Sequence, residues 1–392
     1  MTVLIGDNAS GKTTVLEAIA IALSGYLGSL PGMAGRHIHK GDVLQYVHEH
    51  EGLVTYEADF PAEIHAQGFF QGNSVEWSRA LTRPDGRTTR GPHWNRWTKP
   101  LIEAVTKGWP WELPVVAYYG TRRVWLQKRA TQAKRGVGSR YDGYIDVLEP
   151  ESNQRLMTEW ILQQTMIELQ QRRKSVHLAA IEAAVCRGVR ARRFVFNLKY
   201  NCLELHLGEG EVVPFEQLSD GYRNMVALVA DIAWRACVLN PHLGAEVAET
   251  VSGTVLIDEI DLHLHPRWQR RVLVDLKSAF PNLQFVVTTH SPQVLATALR
   301  AEVRLLAGRA IQATPFVEGR DANGLLRDAF DVEERPAETE AAIQELAELI
   351  EGERYEQARR KLSSLTATLG PDDPAIIRAN FELELSPDDA SL

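Results

Sequence analysis

Cysteine is scarce in this sequence. Only Cys186, Cys202 and Cys237 occur in 392 residues, scattered and without a CxxC pair. That excludes a disulfide framework and a zinc ribbon, and it fits a reducing, cytoplasmic setting. Long apolar runs are missing too. No segment approaches the roughly 20 residues that cross a bilayer, and the apolar start passes into Gly6 too soon for a signal peptide. Positive charge is not in excess: 43 Lys+Arg stand against 51 Asp+Glu, a formal net charge of −8. A uniformly basic nucleic-acid binder is thereby excluded, while a local basic patch is not. There is no repeat of fixed period and no long coiled coil, which argues against a solenoid and an SMC-type tether. What remains is ordinary globular composition, 44% hydrophobic and 24% charged, in a chain long enough for one large or two modest cores.

Short apolar runs are present, and they alternate with helical patterns. Thr2 to Ile5 reads as a buried strand. Thr13 to Ser24 reads as a helix, with Val15, Leu16, Ile19 and Leu23 at helical spacing. Leu53 to Leu81 suits short strands, and RPDGR (Arg83 to Arg87) suits a hairpin tip. LPVVAYYG, TVLIDEI and LQFVVTTH read as buried strands, rich in Val, Ile and Leu as parallel strands tend to be. FVFNLKY and CLELHLG alternate like paired strands turning near Asn201. Ser152 to Gly188 and Glu216 to Leu239 read as helical. This alternation predicts an α/β fold, a mixed sheet with flanking helices.

Two segments are biased in charge. Thr121 to Lys199 holds 16 Lys/Arg against 7 Asp/Glu, and Phe330 to Leu392 holds 16 acidic residues against 6 basic. In the tail, Ile343, Leu346, Ala347 and Ile350 share one helical face and Tyr355, Ala358, Leu362 and Leu365 another. Gly352 stands between them as a helix stop, and Asp373-Pro374 can start a third helix. The expected organisation is a head formed by residues 1–120 and 194–318, a basic and largely helical insertion at 121–193, and a small all-α acidic subdomain at 319–392.

Four motifs carry chemistry. GDNASGKTT (Gly6 to Thr14) fits a glycine loop whose backbone N–H groups close around phosphate oxygens at a helix N-terminus. Gly6, Asn8, Ala9, Ser10, Gly11 and Thr14 line such a loop. Lys12 reaches the β and γ phosphates and Thr13 a magnesium ion. TVLIDEIDLHLHP ends an apolar strand in two carboxylates: Asp258 suits a metal, and Glu259 suits polarising an attacking water. Such a pair is costly at a buried strand end unless a cation or hydrogen bonds compensate it. In LQFVVTTHSPQVL, His290 follows another buried strand and suits a hydrogen bond to the γ-phosphate. In FEQLSDGYRN, Leu218, Ser219, Asp220 and Gly221 precede a helix whose N-terminus offers a second anion site; taken alone, an ordinary Ser/Asp cap explains it.

In this order the four motifs resemble the ATP-binding cassette (ABC) ATPase superfamily, in the branch of SMC-type, RecF-like and OLD-like ATPases. Asn8 in the loop and LSDGYRN carry the likeness to that branch. DEIDLHLHP and TTHSPQVL resemble the OLD-like group in particular. The likeness frames most of residues 1–300. It implies an ABC-type P-loop ATPase head, ATP and Mg²⁺ as ligands, ATP hydrolysis, and a homodimer in which the Ser219 segment of one copy closes over the other copy's nucleotide. Asp261 matches the position that touches the opposite site. LPVVAYYGTRRVW and the tail with LGPDDP are similar to ATPases of Septu-type and retron-associated antiphage systems, where the ATPase works beside a separate HNH nuclease. That resemblance implies a separate partner nuclease; too little α/β sequence follows His290 for the nuclease domain of full OLD proteins, so the chain is not expected to cut DNA itself.

Departures from the pattern matter as well. The family commonly has a β-hairpin ahead of the loop, and here only Met1 to Ile5 stand there, so phosphate chemistry is expected to be clearer than base recognition. Gln45, Gln67 and Gln71 are candidates for a glutamine loop, and none stands out. His263 and His265 form H-x-H without a third metal ligand at suitable spacing; hydrogen bonding or a dimer contact suits them better. Arg122, Arg123, Lys128, Arg129, Lys134, Arg135 and Arg140 form either a solvated loop or a DNA, RNA or nucleotide phosphate contact. Trp94, Trp97, Trp109, Trp111 and Trp125 interleave with this region and read as core or interface residues before base-stacking ones. The acidic tail reads as a solvated face or a dock for a basic partner. Two other functions fit the same motifs: a RecF-like DNA repair or recombination ATPase, and a nucleotide sensor that does not hydrolyse. A transporter's nucleotide-binding subunit fits the basic insertion and LHLHP segment poorly.

Overall fold

The computed structural model describes all residues except 51, 90–93, 122–137, 150–153, 209, 309, 313–315, 331–332 and 386–392. They form two compact units, Met1–Ala322 and Asn323–Leu392. The first begins with β1 (Thr2–Ile5) and α1 (Lys12–Leu27), followed by β2 (Gln45–His50), β3 (Leu53–Ala58), β4 (Ala62–Phe70) and β5 (Asn73–Leu81). Next come α2 (Trp94–Thr106), β6 (Val115–Tyr119), α3 (Gln154–Gln171), α4 (Val176–Val189), β7 (Arg193–Asn197), β8 (Cys202–His206) and β9 (Val212–Pro214). Then α5 (Asp220–Leu239), α6 (Val247–Thr250), β10 (Gly253–Ile257), α7 (Pro266–Gln269), α8 (Val272–Ala279), β11 (Leu283–Thr288), α9 (Pro292–Leu295), β12 (Val303–Ala307) and β13 (Ala310–Gln312) complete it. The chain continues with α10 (Ala322–Phe330), α11 (Ala337–Glu351), α12 (Tyr355–Leu369) and α13 (Pro374–Glu384).

The central sheet has strand order β13-β12-β1-β11-β10-β6. All its pairings are parallel except β12 with β13, which is an antiparallel edge pair. Its parallel strands are nearly solid apolar runs because helices cover both faces of a parallel sheet; even in β6, at the end of the strand order, all five residues are buried. Since β1, β6, β10 and β11 point the same way, their C-terminal ends share one edge. The loops after Ile5, Tyr119, Ile257 and Thr288 therefore meet there, at the kind of edge where open α/β sheets bind ligands.

The helix that follows the LSDG segment, α5, is buried nearly all round: 14 of its 20 residues are inaccessible. Such a helix belongs in a core rather than on a surface. It holds a buried ion pair, with Arg235 Nε donating to Asp231 Oδ2 at 2.7 Å. Between α1, β4 and the sheet lies a cavity of about 1050 Å³, lined by Ile19, Leu23, Phe70, Trp77 and Trp111.

Three local expectations need correction. RPDGR turns, with Gly86 N–H on Arg83 O at 2.9 Å, but among the described residues no strand after this turn pairs with β5; only Thr89 returns, its N–H on Ala80 O at 2.9 Å. The two-residue tip of the β4–β5 hairpin is Gln71-Gly72, both at positive φ, the geometry that matches strand twist. The helical stretch from Ser152 to Gly188 is two helices. They part at Arg172, where φ is +52°, and the second is capped by Ser175, whose Oγ accepts from Leu178 N–H. Glu216 lies in a short 3₁₀ turn, and α5 starts only at Asp220.

In the second unit, α11, α12 and α13 bury Leu346, Leu349, Leu362, Leu365, Ile376 and Leu383 in one cluster. Asp373 caps α13 by accepting from Ala375 N–H at 2.9 Å. The same carboxylate takes both Nη groups of Arg335, at 3.0 and 2.9 Å. That fork pins the start of α11 to the start of α13. No helix among the described residues is long and apolar enough to cross a membrane.

Candidate functional site

The loop after β1 can be built from its glycines. Gly6 has φ +145°, and a Cβ there would fall 2.2 Å from the backbone oxygen of Leu306, so no other residue fits this close approach. Ala9 and Gly11 also have positive φ, at 64° and 93°, which curls the loop back over α1. Gly11 caps α1 without a side-chain bond, and no acid sits in the first turn. The first N–H groups of a 16-residue helix therefore face the loop, an arrangement that favours an anion. Lys12 is 7% exposed. Its Nζ donates to Gly6 O (2.9 Å), Asp7 O (2.7 Å) and Ser10 Oγ (3.4 Å). Burial pushes its pKa below the ordinary lysine value, opposed by Asp258, Asp7 and Glu259.

Asp258 reaches this loop from across the sheet. Its backbone N–H donates to Tyr119 O at 2.8 Å, and its carboxylate is divided between two threonines. Thr13 Oγ1 donates to Oδ2 at 2.9 Å, and Thr288 Oγ1 donates to Oδ1 at 2.6 Å. Thr288 Oγ1 also accepts from the Glu259 N–H at 2.7 Å. One buried hydroxyl thus fixes both acids of the pair. Glu259 turns off the strand with φ +46°, which sends it away from the line of β10. Beyond it, Thr289 Oγ1 donates to Asp261 Oδ1 at 2.6 Å. His290 follows at the same edge, half-buried.

The paired oxygens of Thr13 and Asp258 are hard donors, the set that suits Mg²⁺. Among the described residues no cluster of three or more His, Cys, Asp or Glu suits a metal ion. His265 has another job: its Nδ1 accepts from Arg267 N–H at 3.2 Å and caps α7.

The Ser219 segment differs from an ordinary cap. Ser219 stands at the N-cap of α5 but makes no side-chain capping bond, and both it and Asp220 are exposed. Asp220 Oδ1 accepts instead from Arg223 Nη2 at 2.5 Å. Gly221 sits on the loop that follows the DE pair: a Cβ there would fall 2.1 Å from His263 O. Tyr222 reinforces the contact, with its ring edge-on to Trp268 at 4.9 Å and its hydroxyl on Val189 O at 3.1 Å. The geometry therefore joins Lys12, Thr13, Asp258 and Glu259 into one hydrogen-bonded edge. It attaches Gly221 to the continuation of that edge, and among the described residues no hydrogen bond links Ser219 to the phosphate loop.

Several contributors escaped sequence reasoning. In LQFVVTTH the pattern marks Thr288 and Thr289 only as the end of a buried strand, and two adjacent hydroxyls there are the one available signal. Arg36 is a further case. Its Nη2 donates to Glu17 Oε1 at 2.7 Å, its guanidinium lies 5.4 Å from the Tyr118 ring centroid, and its Nη1 is buried with no hydrogen-bond partner among the described residues. Burial, with Asp258 and Glu17 close by, pushes the Tyr118 phenol up to about 12. A lone arginine after a glycine carried no pattern to flag it.

Other candidates fall elsewhere. Gln45 opens β2, while Gln67 and Gln71 line the large cavity. Arg122, Arg123, Lys128, Arg129, Lys134, Arg135 and Trp125 lie outside the described residues. Arg140 is structural, its Nε donating to Leu239 O at 2.7 Å. Trp94 packs edge-on against Tyr26, Phe70 and Trp77, and Trp97 against Phe70. Trp109 is half exposed with Lys107 over its ring, and Trp111 lines the cavity.

Residues 1–51 and 58–296 match the protein family described as "AAA domain, putative AbiEii toxin, Type IV TA system". The chain is 41% identical over 173 residues to the Retron Ec83 probable ATPase of Escherichia coli, a stretch covering 43% of this chain and 32% of that protein. It is 28% identical over 175 residues to the Septu protein PtuA of Bacillus thuringiensis, covering 42% of this chain and 44% of that one. The chain thus spans less than half the length of these curated relatives. Among solved structures, the SMC head domain from Thermotoga maritima aligns over 80% of this chain and 90% of its own, at 12% identity and a TM-score of 0.40.

Proposed function

The chain belongs to this family of P-loop AAA domains, and from that premise we propose that it binds and hydrolyses ATP between two copies of itself. The observation that carries the reading is the 2.9 Å hydrogen bond from Thr13 to Asp258, across 245 residues of sequence. It brings the phosphate loop and the DE pair to one point, where phosphoryl transfer to water has its parts.

In this reading Lys12 exchanges the carbonyls of Gly6 and Asp7 for phosphate oxygens, and the N–H groups of the loop and of α1 hold the rest. Thr13 and Asp258 would hold Mg²⁺, whose charge would neutralise that developing on the phosphates. Glu259 accepts the proton of the attacking water. His290 donates to the γ-phosphate and so distinguishes ATP from ADP. The unspent hydroxyl of Ser219, with the N-terminus of α5, contacts the γ-phosphate held by a second copy.

The names of the relatives support a role in antiphage defence, with the ATPase sensing or controlling a separate nuclease subunit. Full-length purification with ATP turnover tests the first part. Glu259→Gln should keep ATP binding, lose at least about a hundredfold in turnover if a general base is removed, and accumulate as an ATP-bound dimer. Unchanged turnover in Glu259→Gln would overturn the assignment and favour a sensor that does not hydrolyse. Purification with the products of neighbouring genes, beside a phage challenge, tests the second part. A chain that retains no nuclease and alters no infection refutes the defence role. Turnover stimulated by DNA would favour the RecF-like repair function instead.

A further inference from the structure

The first unit buries a cluster of polar side chains on and beside α5. Tyr119 hydroxyl donates to Asp231 Oδ2 at 2.6 Å, and Arg235 Nε donates to the same oxygen at 2.7 Å. Arg235 Nη1 donates to Gly143 O and Ile145 O, both at 3.0 Å. Asp231 and Arg235 are each 3% exposed and Tyr119 is 4%. Ion pairs buried this deeply rarely stabilise more than well-packed apolar residues would, so stability alone does not account for the cluster.

Its position suggests what does. Tyr119 is the last residue of β6, and its carbonyl holds the backbone N–H of Asp258 at 2.8 Å. Asp231 lies on α5, ten residues beyond Gly221 on the helix that begins beside Ser219. That helix is thus tied to the DE pair at two places. Near its start, Gly221 rests on the His263 carbonyl. At its middle, Asp231 grips the side chain whose backbone positions Asp258. A third tie runs through Arg235 to the turn at residues 140–145.

The cluster is also incomplete. Both donors use Oδ2, and among the described residues Asp231 Oδ1 is buried with no partner; Trp234 Nε1, one turn along α5, is likewise buried and unpartnered among them. An orphan acceptor and an orphan donor on one helix are costly in a single fixed packing. They are less so if α5 has a second position in which they find partners.

We propose that Tyr119, Asp231 and Arg235 form a latch that couples α5 to Asp258, so that ATP in the phosphate loop shifts the Ser219 segment toward a second copy. The three are positioning residues, since none reaches the loop itself. The inference rests on the nucleotide reading above and deepens it by giving the site an output.

Hydrogen exchange on the full chain tests it, with ATP and Mg²⁺ as the added ligands and Glu259→Gln as the background to prevent turnover. Measurement at a protein concentration low enough that sedimentation shows a monomer with ATP present isolates the effect within one copy. ATP should slow exchange at residues 6–14 and 258–261, and also at 219–225. In Tyr119→Phe, which keeps the ring and the ion pair, the first two effects should persist while protection at 219–225 falls at least about threefold. Arg235→Lys should lie between. Tyr119→Phe with wild-type protection at 219–225 overturns the latch, as does ATP protection confined to 6–14 and 258–261 in the unsubstituted latch. Loss of protection at 6–14 as well would mark a general structural role and overturn it too. Absence of any ATP effect would overturn the nucleotide reading first, and the latch with it.

Discussion

Thr288→Val isolates the hydroxyl that organises the DE pair. Thr288 is fully buried, and valine fills the same volume, so no cavity opens. What disappears is one hydrogen bond to a carboxylate and one accepted from a backbone N–H. Bonds to charged groups contribute about 1.5–3 kcal/mol and neutral ones about 1 kcal/mol, so a cost of about 3 kcal/mol is expected. Asp258 Oδ1 and the Glu259 N–H are then left without their shared partner. The Glu259 backbone, already at positive φ, loses the bond that anchors it. A displacement of about 1 Å at a reacting group costs on the order of a hundredfold in rate. ATP turnover by Thr288→Val should therefore fall about a hundredfold, while binding of a fluorescent ATP analogue, which depends on Lys12 and the loop, changes little. Thr288→Ser keeps the hydroxyl and should stay within about threefold of the parent. The reasoning fails if Thr288→Val turns over ATP as fast as Thr288→Ser, with both folded by circular dichroism.

Lys12 gives a pH dependence. Burial lowers its pKa, so between that lowered value and the ordinary lysine value the unfolded chain binds more protons. Stability of the nucleotide-free protein should rise with pH across that window. Affinity for ATP, which needs the ammonium form, should fall in the same window, measurable by titration calorimetry from neutral pH upward. Gly221→Ala would place a methyl 2.1 Å from His263 O; the start of α5 has to shift, and ATP-dependent dimerisation in Glu259→Gln should be lost in a sedimentation assay while monomeric ATP binding remains. In the second unit, the hydrogen bonds from Arg335 hold the Asp373 carboxyl below the usual range. Their contribution is present above the unfolded value near pH 4 and disappears as pH falls through the lowered one. Asp373→Asn should remove that acid-side dependence, followed by proteolysis of residues 323–385 against pH.

How far the sequence could be read depends on the range of the interactions involved. Solid Val/Ile/Leu runs announced the parallel strands because a strand covered on both faces has no polar side to show. The common edge of Lys12, Asp258 and His290 was legible for the same reason, since parallel strands carry their following loops to one end. Helix caps such as Asp373-Pro374 were legible because they are local. The bond from Thr288 to Asp258 spans 30 residues and follows from strand order, with β11 between β1 and β10, which periodicity does not encode. Arg36 escaped notice because its partners, Glu17 and Tyr118, come from two different elements. The break at Arg172 was hidden because QRRKS continues a polar helical surface, and the deciding feature is the Ser175 cap.

The bonds around Lys12 and Thr13 have a consequence for specificity. Each is made to a group that a nucleotide complex would take over: carbonyls in place of phosphate oxygens, and Asp258 in place of a shared cation. A ligand without a phosphate tail replaces none of them and leaves the loop as it is. A ligand with phosphates but no metal must break the bond from Thr13 to Asp258 or bring anionic oxygens toward that carboxylate unscreened. Phosphates and metal together exchange every bond for another of similar or greater strength. On the proposed nucleotide reading, a preference for a metal-bound triphosphate would come less from added contacts than from how completely that ligand replaces the bonds already present.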